Sequence, residues 1–281
     1  MLLMVTSVGW GFNWPIAKQL ITELPPLTMR GGTGFVGALL LGIVAVMAGQ
    51  GLHVPRKMWG RLVLGAFLSV TCWMGLMGLA LVWLPAGETA MIAYTMPVWA
   101  SLLAWPLLGE RPTVLRVAAL VMAFSGLSVI FGVNGISITA EKLTGYIISL
   151  IGAATFALGT VLAKKLPTSL PPLTSATWQI GLGSLPVLFC GLLFETADFG
   201  NVSHLGVWLL GYSVVIQVCL AYACWFAALE RLPASVAAIG TMLIPVIGLC
   251  ASAMMLGEPL GLSQMVALAF TVAGVALATR S

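Results

Sequence analysis

Apolar residues in this chain gather into ten long runs, separated by short breaks that carry most of the prolines and charges. In the first half the runs lie near 2–20, 27–48, 60–83, 87–108 and 114–133. In the second they lie near 143–165, 173–194, 205–229, 234–256 and 260–279. Each approaches the roughly 20 residues that a helix needs to cross the hydrocarbon of a bilayer. The pattern predicts an all-α polytopic membrane protein with ten transmembrane helices. Pro25-Pro26 and Pro171-Pro172 break the chain between the first two helices of each half. Asn134 to Lys142 is the link between halves, and its Asn-Gly and Ser/Thr content predicts a turn.

The punctuation of the first half returns in the second. Leu84-Pro85-Ala86, Pro97-Val98, Leu108-Gly109-Glu110 and Gly126 recur 148 residues later as Leu232-Pro233-Ala234, Pro245-Val246, Leu256-Gly257-Glu258 and Gly274. Ala17-Lys18 and Leu24-Pro25-Pro26-Leu27-Thr28 recur 146 residues later as Ala163-Lys164 and Leu170-Pro171-Pro172-Leu173-Thr174. Five segments per copy is an odd number, so the second copy enters the membrane upside down relative to the first. Two inverted five-helix repeats, 1–133 and 134–281, are the expected domains. Such repeats around a midplane site are the architecture of secondary transporters. Each Leu-Gly-Glu is expected to end a helix, with the glycine as breaker.

Composition removes the soluble alternatives. The chain has 281 residues, 60% hydrophobic and 7% charged, with mean hydropathy +1.09. Soluble domains carry roughly 25% charged residues, so lipid is the solvent here. The five cysteines, Cys72, Cys190, Cys219, Cys224 and Cys250, lie inside apolar runs with no disulfide-framework or metal-ligand spacing, and are expected to pack as small hydrophobes. No metal or cofactor is expected. The first run follows no basic stretch, so it is expected to remain as an anchor.

Lys and Arg set the orientation. With the N-terminus inside, nine basic residues fall inside and three, Lys18, Arg30 and Lys142, outside, which accounts for all 12. The positive-inside tendency therefore predicts both termini in the cytoplasm. The net charge of +4 resides at helix ends, so no nucleic-acid partner is expected.

Candidate chemistry is limited to polar and aromatic side chains on the spans. No phosphate-binding Gly-x-x-x-x-Gly-Lys-Ser/Thr loop is present. The only histidines, His53 and His204, fall in expected loops, so no catalytic residue is assigned. On the first helix Thr6, Trp10, Asn13 and Ala17 share a stripe, with Trp14 beside it. Asn13 is costly against lipid, and an amide among indoles suits a zwitterion or a flat organic solute. Lining a cavity and packing helices are both open for this stripe.

The fourth helix carries Glu88, Thr95 and Trp99 on one face and Tyr94 on another. Pro97 interrupts it, as Pro245 interrupts the ninth. Matched interruptions point to a transporter site and to hinges, and kinks for packing are the alternative. Glu88, near the outer surface at the depth of Lys18 and Arg30, is either an interfacial carboxylate paired with one of them or, together with Lys18 and Arg30, part of a gate or proton-coupling group. Trp178, Gln179 and Gln217, on the seventh and eighth helices, are candidate cavity residues or interhelical glue.

Trp10-Gly11-Phe12-Asn13, Ala93-Tyr94-Thr95-Met96-Pro97-Val98, Leu107-Leu108-Gly109-Glu110-Arg111 and Met255-Leu256-Gly257-Glu258-Pro259 together resemble the drug/metabolite transporter superfamily, in its ten-helix form with two EamA domains. The resemblance spans essentially the whole chain, and is nearest to the bacterial aromatic amino acid exporter branch. It implies export of amino acids and related small metabolites across the bacterial inner membrane, by alternating access through a central cavity. No obligate protein partner is implied. A multidrug or quaternary-amine exporter is the alternative within transport, disfavoured because Glu88 alone could supply the acid a cation needs. An integral-membrane enzyme is the alternative from another class, disfavoured by the lack of a buried histidine, Ser/His pair or metal cluster.

Overall fold

A computed structural model describes residues 1–109, 140–229 and 243–279, with a few positions between 114 and 125. Regular structure in these residues is helical throughout. The first apolar run forms α1 (Leu2–Gly11) and α2 (Asn13–Leu20), parted at Phe12. Pro15 is the cause: it has no N–H for the Gly11 carbonyl, and its ring crowds that carbonyl. Pro26 then opens α3 (Pro26–Met47), at the first helical position where a missing N–H costs nothing.

α4 (Trp59–Ala66) runs through a π-helical stretch, Phe67–Cys72, into α5 (Trp73–Trp83). α6 (Ala86–Ala93) and α7 (Met96–Leu108) are one apolar run interrupted at Tyr94-Thr95, immediately ahead of Pro97. α8 (Ala140–Lys165) and α9 (Pro172–Phe194) follow. α10 (His204–Tyr212) continues through a second π-helical stretch, Ser213–Leu220, into α11 (Ala221–Leu229). α12 (Leu243–Leu256) and α13 (Leu262–Thr279) complete the described chain. Six of the helical runs are long and apolar enough to cross a membrane. Described ends agree with the expected spans to within a few residues. The fifth expected span, most of the link, and residues 230–242 lie outside the described chain.

α3 and α9 pack antiparallel at the centre. A Cβ on Gly31 would fall 2.3 Å from the Leu188 backbone nitrogen, and one on Gly191 would fall 2.5 Å from that of Thr28. Glycine is needed at both to let the backbones approach, as small residues do between membrane helices. This axis is closed by carboxylate and amide caps. Glu195, at the end of α9, accepts from the Leu27 and Thr28 N–H groups (3.0 and 2.7 Å) and the Thr28 hydroxyl (2.8 Å). At the other end of the pair, Gln50 just past α3 accepts from the Leu173 and Thr174 N–H groups (3.0 and 3.4 Å). Glu258, just past α12, accepts from Ala86 (2.6 Å) and Gly87 (2.9 Å) at the start of α6. Each cap satisfies N–H groups that a helix start leaves unpaired, and the carboxylates also meet the positive end of the helix dipole.

Both Leu-Gly-Glu glycines stop their helices in the left-handed region, Gly109 at φ 74° and Gly257 at φ 67°. A side chain there would be strained. Among the described residues the cysteines are all free, and no group of acidic, histidine or cysteine side chains has the makings of a metal site.

Candidate functional site

The break in the first span delivers three polar or aromatic side chains into the middle of the bundle. Trp10 precedes Phe12, and Asn13 and Trp14 follow it. Trp10 donates its indole N–H to the Gln217 carbonyl (3.1 Å). Its ring lies edge-on to Tyr222 (5.0 Å between centroids) and tilted to Trp225 (5.8 Å). Trp14 is buried, edge-on to Trp73 (6.4 Å), which in turn meets Phe156 (4.8 Å). Tyr94, at the break between α6 and α7, is buried in the same apolar cluster. Thr95 donates its hydroxyl to the Ile92 carbonyl (2.6 Å) and accepts from the Trp99 indole (3.2 Å).

Beside Asn13 sits Arg30 of α3, 5% exposed. Its Nη1 donates to Asn13 Oδ1 (3.2 Å). Its stem lies against α5 at Gly78, where a Cβ would be 3.0 Å from Arg30 Cγ. Tyr222 is the ionisable neighbour of the guanidinium. Its Nε is buried without a hydrogen-bond partner. A charged side chain buried among spanning helices is costly, and buried polar atoms are normally paired. The sequence placed Arg30 near the outer surface beside Glu88; the structure instead sets it against Asn13.

Glu88 and Lys18 have separate partners. Glu88 is buried and accepts from the Tyr146 hydroxyl (2.7 Å). Lys18 donates to the Leu81 carbonyl and to that of Leu84 (3.0 Å), closing the last turn of α5. Neither contact is the interfacial ion pair with Glu88 that sequence reasoning offered.

The second-half candidates divide. The Gln217 backbone carbonyl belongs to the aromatic group through Trp10. Trp178 donates to the Leu52 carbonyl (2.9 Å) and stacks edge-on with Trp59 (5.1 Å), at the end of the bundle where Gln50 caps α9. Gln179 donates to Ser175 (2.9 Å) and borders a small crevice with Arg61 and Gly159. These two lie apart from the Arg30 cluster. Pro245 is buried in the first turn of α12, and the backbone of Pro97 occupies the first turn of α7. Sequence reasoning missed Trp73 and Phe156 beside Trp14, and Tyr146 as the partner of Glu88. Pro15 was the available signal for the break that carries the tryptophans.

The EamA-like transporter family model matches twice, over residues 1–132 and 143–280. The chain is 32% identical to the uncharacterized transporter YvbV of Bacillus subtilis, over 99% of this chain and 90% of that one. It is 25% identical to a probable amino-acid metabolite efflux pump of Salmonella typhimurium, over 98% of this chain and 92% of the other. A crystal structure 21% identical in sequence superposes with a TM-score of 0.72, covering 99% of this chain and 96% of that one, which shows the fold. With both halves matched and a relative above 30% identity along its length, the chain belongs to the EamA-like transporter family of the drug/metabolite transporter superfamily.

Proposed function

We propose that this protein is a secondary-active or facilitative exporter of amino acids, aromatic and other neutral ones, and of related small metabolites. It works by alternating access through a central cavity between two inverted five-helix repeats, 1–133 and 134–281. It lies in the bacterial inner membrane with both termini in the cytoplasm. The observation that carries the substrate reading is the layer of Trp10, Trp14, Trp73 and Tyr222 around the Asn13–Arg30 pair. Aromatic faces take an apolar side chain, while the amide and guanidinium take polar ends. Relatives named as probable amino-acid metabolite efflux pumps support the same class.

Support for inversion comes from exchanged roles. Glu195 of the second half caps α3 of the first, and Gln50 of the first caps α9 of the second. The two π-helical stretches begin at Phe67 and Ser213, 146 residues apart, which is the offset of the proline repeat. Loops expected outside share one end of the bundle, where Glu23 accepts from the Ser203 N–H and hydroxyl (both 2.8 Å). Loops expected inside share the other, where Arg61 donates to the Pro167 carbonyl (3.1 Å).

A multidrug exporter of cations fits less well, because the charge at the described centre is a buried arginine. The test is efflux from cells fed a phenylalanine-containing dipeptide, with and without expression of the protein. Expression should speed the appearance of phenylalanine in the medium and lower its intracellular level. Unchanged efflux across phenylalanine, tyrosine, leucine and threonine would sink the amino acid reading.

A further inference from the structure

We propose that Arg30 is the anion subsite of the transport path, and that the substrates are carboxylates which the guanidinium grips through its Nε–Nη2 edge. The inference rests on the transport reading above and names the chemical group that reading requires. Asn13 holds Nη1 at 3.2 Å. The described residues give the arginine no other side-chain hydrogen bond, and Nε is buried without a partner. The open edge presents parallel N–H groups, the geometry that takes both oxygens of a carboxylate.

The described acids are committed elsewhere. Of the acidic side chains with described contacts, Glu195 and Glu258 cap helices α3 and α6, and Glu88 holds Tyr146. Glu23 holds Ser203, and Asp198 holds Gly200 and Asn201. Among the described residues none forms an ion pair with Arg30. A guanidinium serving only to join α3 to the first span would be satisfied by its partners, as buried polar groups usually are. One left unpartnered on an edge, with Asn13 on Nη1 and Tyr222 as its ionisable neighbour, is suited to a counter-charge that arrives and leaves. The same arrangement disfavours amines without a carboxylate.

Equilibrium binding to the purified full-length protein tests this with four probes. They are L-phenylalanine; hydrocinnamate, which keeps the carboxylate and lacks the amine; L-phenylalaninamide; and phenethylamine. Wild type should bind the two carboxylates and reject the amide and the amine. Arg30→Gln should weaken both carboxylates by about 10- to 100-fold, the range for a charge-assisted hydrogen bond. Arg30→Lys should recover part of that loss. Asn13→Asp is the third variant, because it should fold even where Arg30→Gln does not. It sets a carboxylate beside Nη1, so it should raise Tm and weaken carboxylate binding together. A merely structural arginine predicts the higher Tm with carboxylate binding unchanged, and that result overturns the proposal. So does equal wild-type binding of acid and amide, or no binding of either carboxylate. Should hydrocinnamate bind through Arg30 while phenylalanine is neither bound nor transported, the subsite stands and the amino acid reading falls. Phenylalanine transport that is equal in wild type, Arg30→Gln and Asn13→Asp does the reverse.

Discussion

At Trp10 the indole N–H is already used by the Gln217 carbonyl, so the ring faces are what it can offer a solute. Asn13 is likewise half-committed, its carbonyl oxygen held by Arg30. Trp10→Ala and Asn13→Ala should therefore lower Tm, by opening a cavity and by stripping Arg30 of its partner, and should slow phenylalanine export by more than the loss of folded protein accounts for. Loss of one hydrogen bond or ring contact corresponds to about 2- to 12-fold in affinity. Export that falls only in step with folded protein would assign both residues to packing. Glu258 makes the opposite prediction. Its carboxylate spans two N–H groups at the start of α6, so Glu258→Ala should cost about 1–2 kcal/mol, read as a fall in Tm. An unchanged Tm would mean water replaces the cap. Asn13 and the tryptophans were legible in the sequence because amides and mid-span indoles are rare against lipid. Arg30 was legible only as a gate or coupling residue: its position four residues past a proline break suggested the surface, and its contact with Asn13 depends on the tight α3–α9 approach at Gly31 and the room at Gly78, which one-dimensional patterns do not carry.

Helical breaks concentrate around the same layer. The first span parts at Phe12 and the fourth at Tyr94-Thr95. The third and eighth spans each carry a π-helical stretch, a deformation that recurs at functional sites. The prolines were visible in the sequence, whereas the π-helical stretches have no proline or glycine to announce them and follow from packing. As a proposal about mechanism, Pro97 and Pro245 are hinges with opposite roles, since inversion exchanges outer and inner closure. Pro97→Ala should bias the exposed face one way and Pro245→Ala the other. Thiol accessibility from each side of reconstituted vesicles, with single cysteines near Trp10, reads the bias. No shift from either substitution would make the prolines packing features, and shifts of the same sign would break the symmetry argument.

Across the described residues, helix boundaries were nearly complete in the hydrophobic runs, and the Glu258 cap gives a physical reason for the first Leu-Pro-Ala and the second Leu-Gly-Glu to occur together. Glu258 of one motif satisfies the helix start that follows the other, at Ala86 and Gly87. Orientation rests on the nine-to-three charge asymmetry, and the two histidines provide its check. In a variant stripped of native cysteines, a membrane-impermeant thiol reagent on intact cells should label His204→Cys and spare His53→Cys. The reverse pattern would invert the molecule. Transport by a carrier is the central claim, and counterflow tests it most directly. Proteoliposomes holding the purified protein, preloaded with unlabelled phenylalanine and diluted into a trace of labelled phenylalanine, should accumulate label transiently above equilibrium. Arg30→Gln should abolish the overshoot while the protein remains folded. A channel or an empty vesicle gives monotonic equilibration regardless of preload, and that result with wild-type protein would contradict the account.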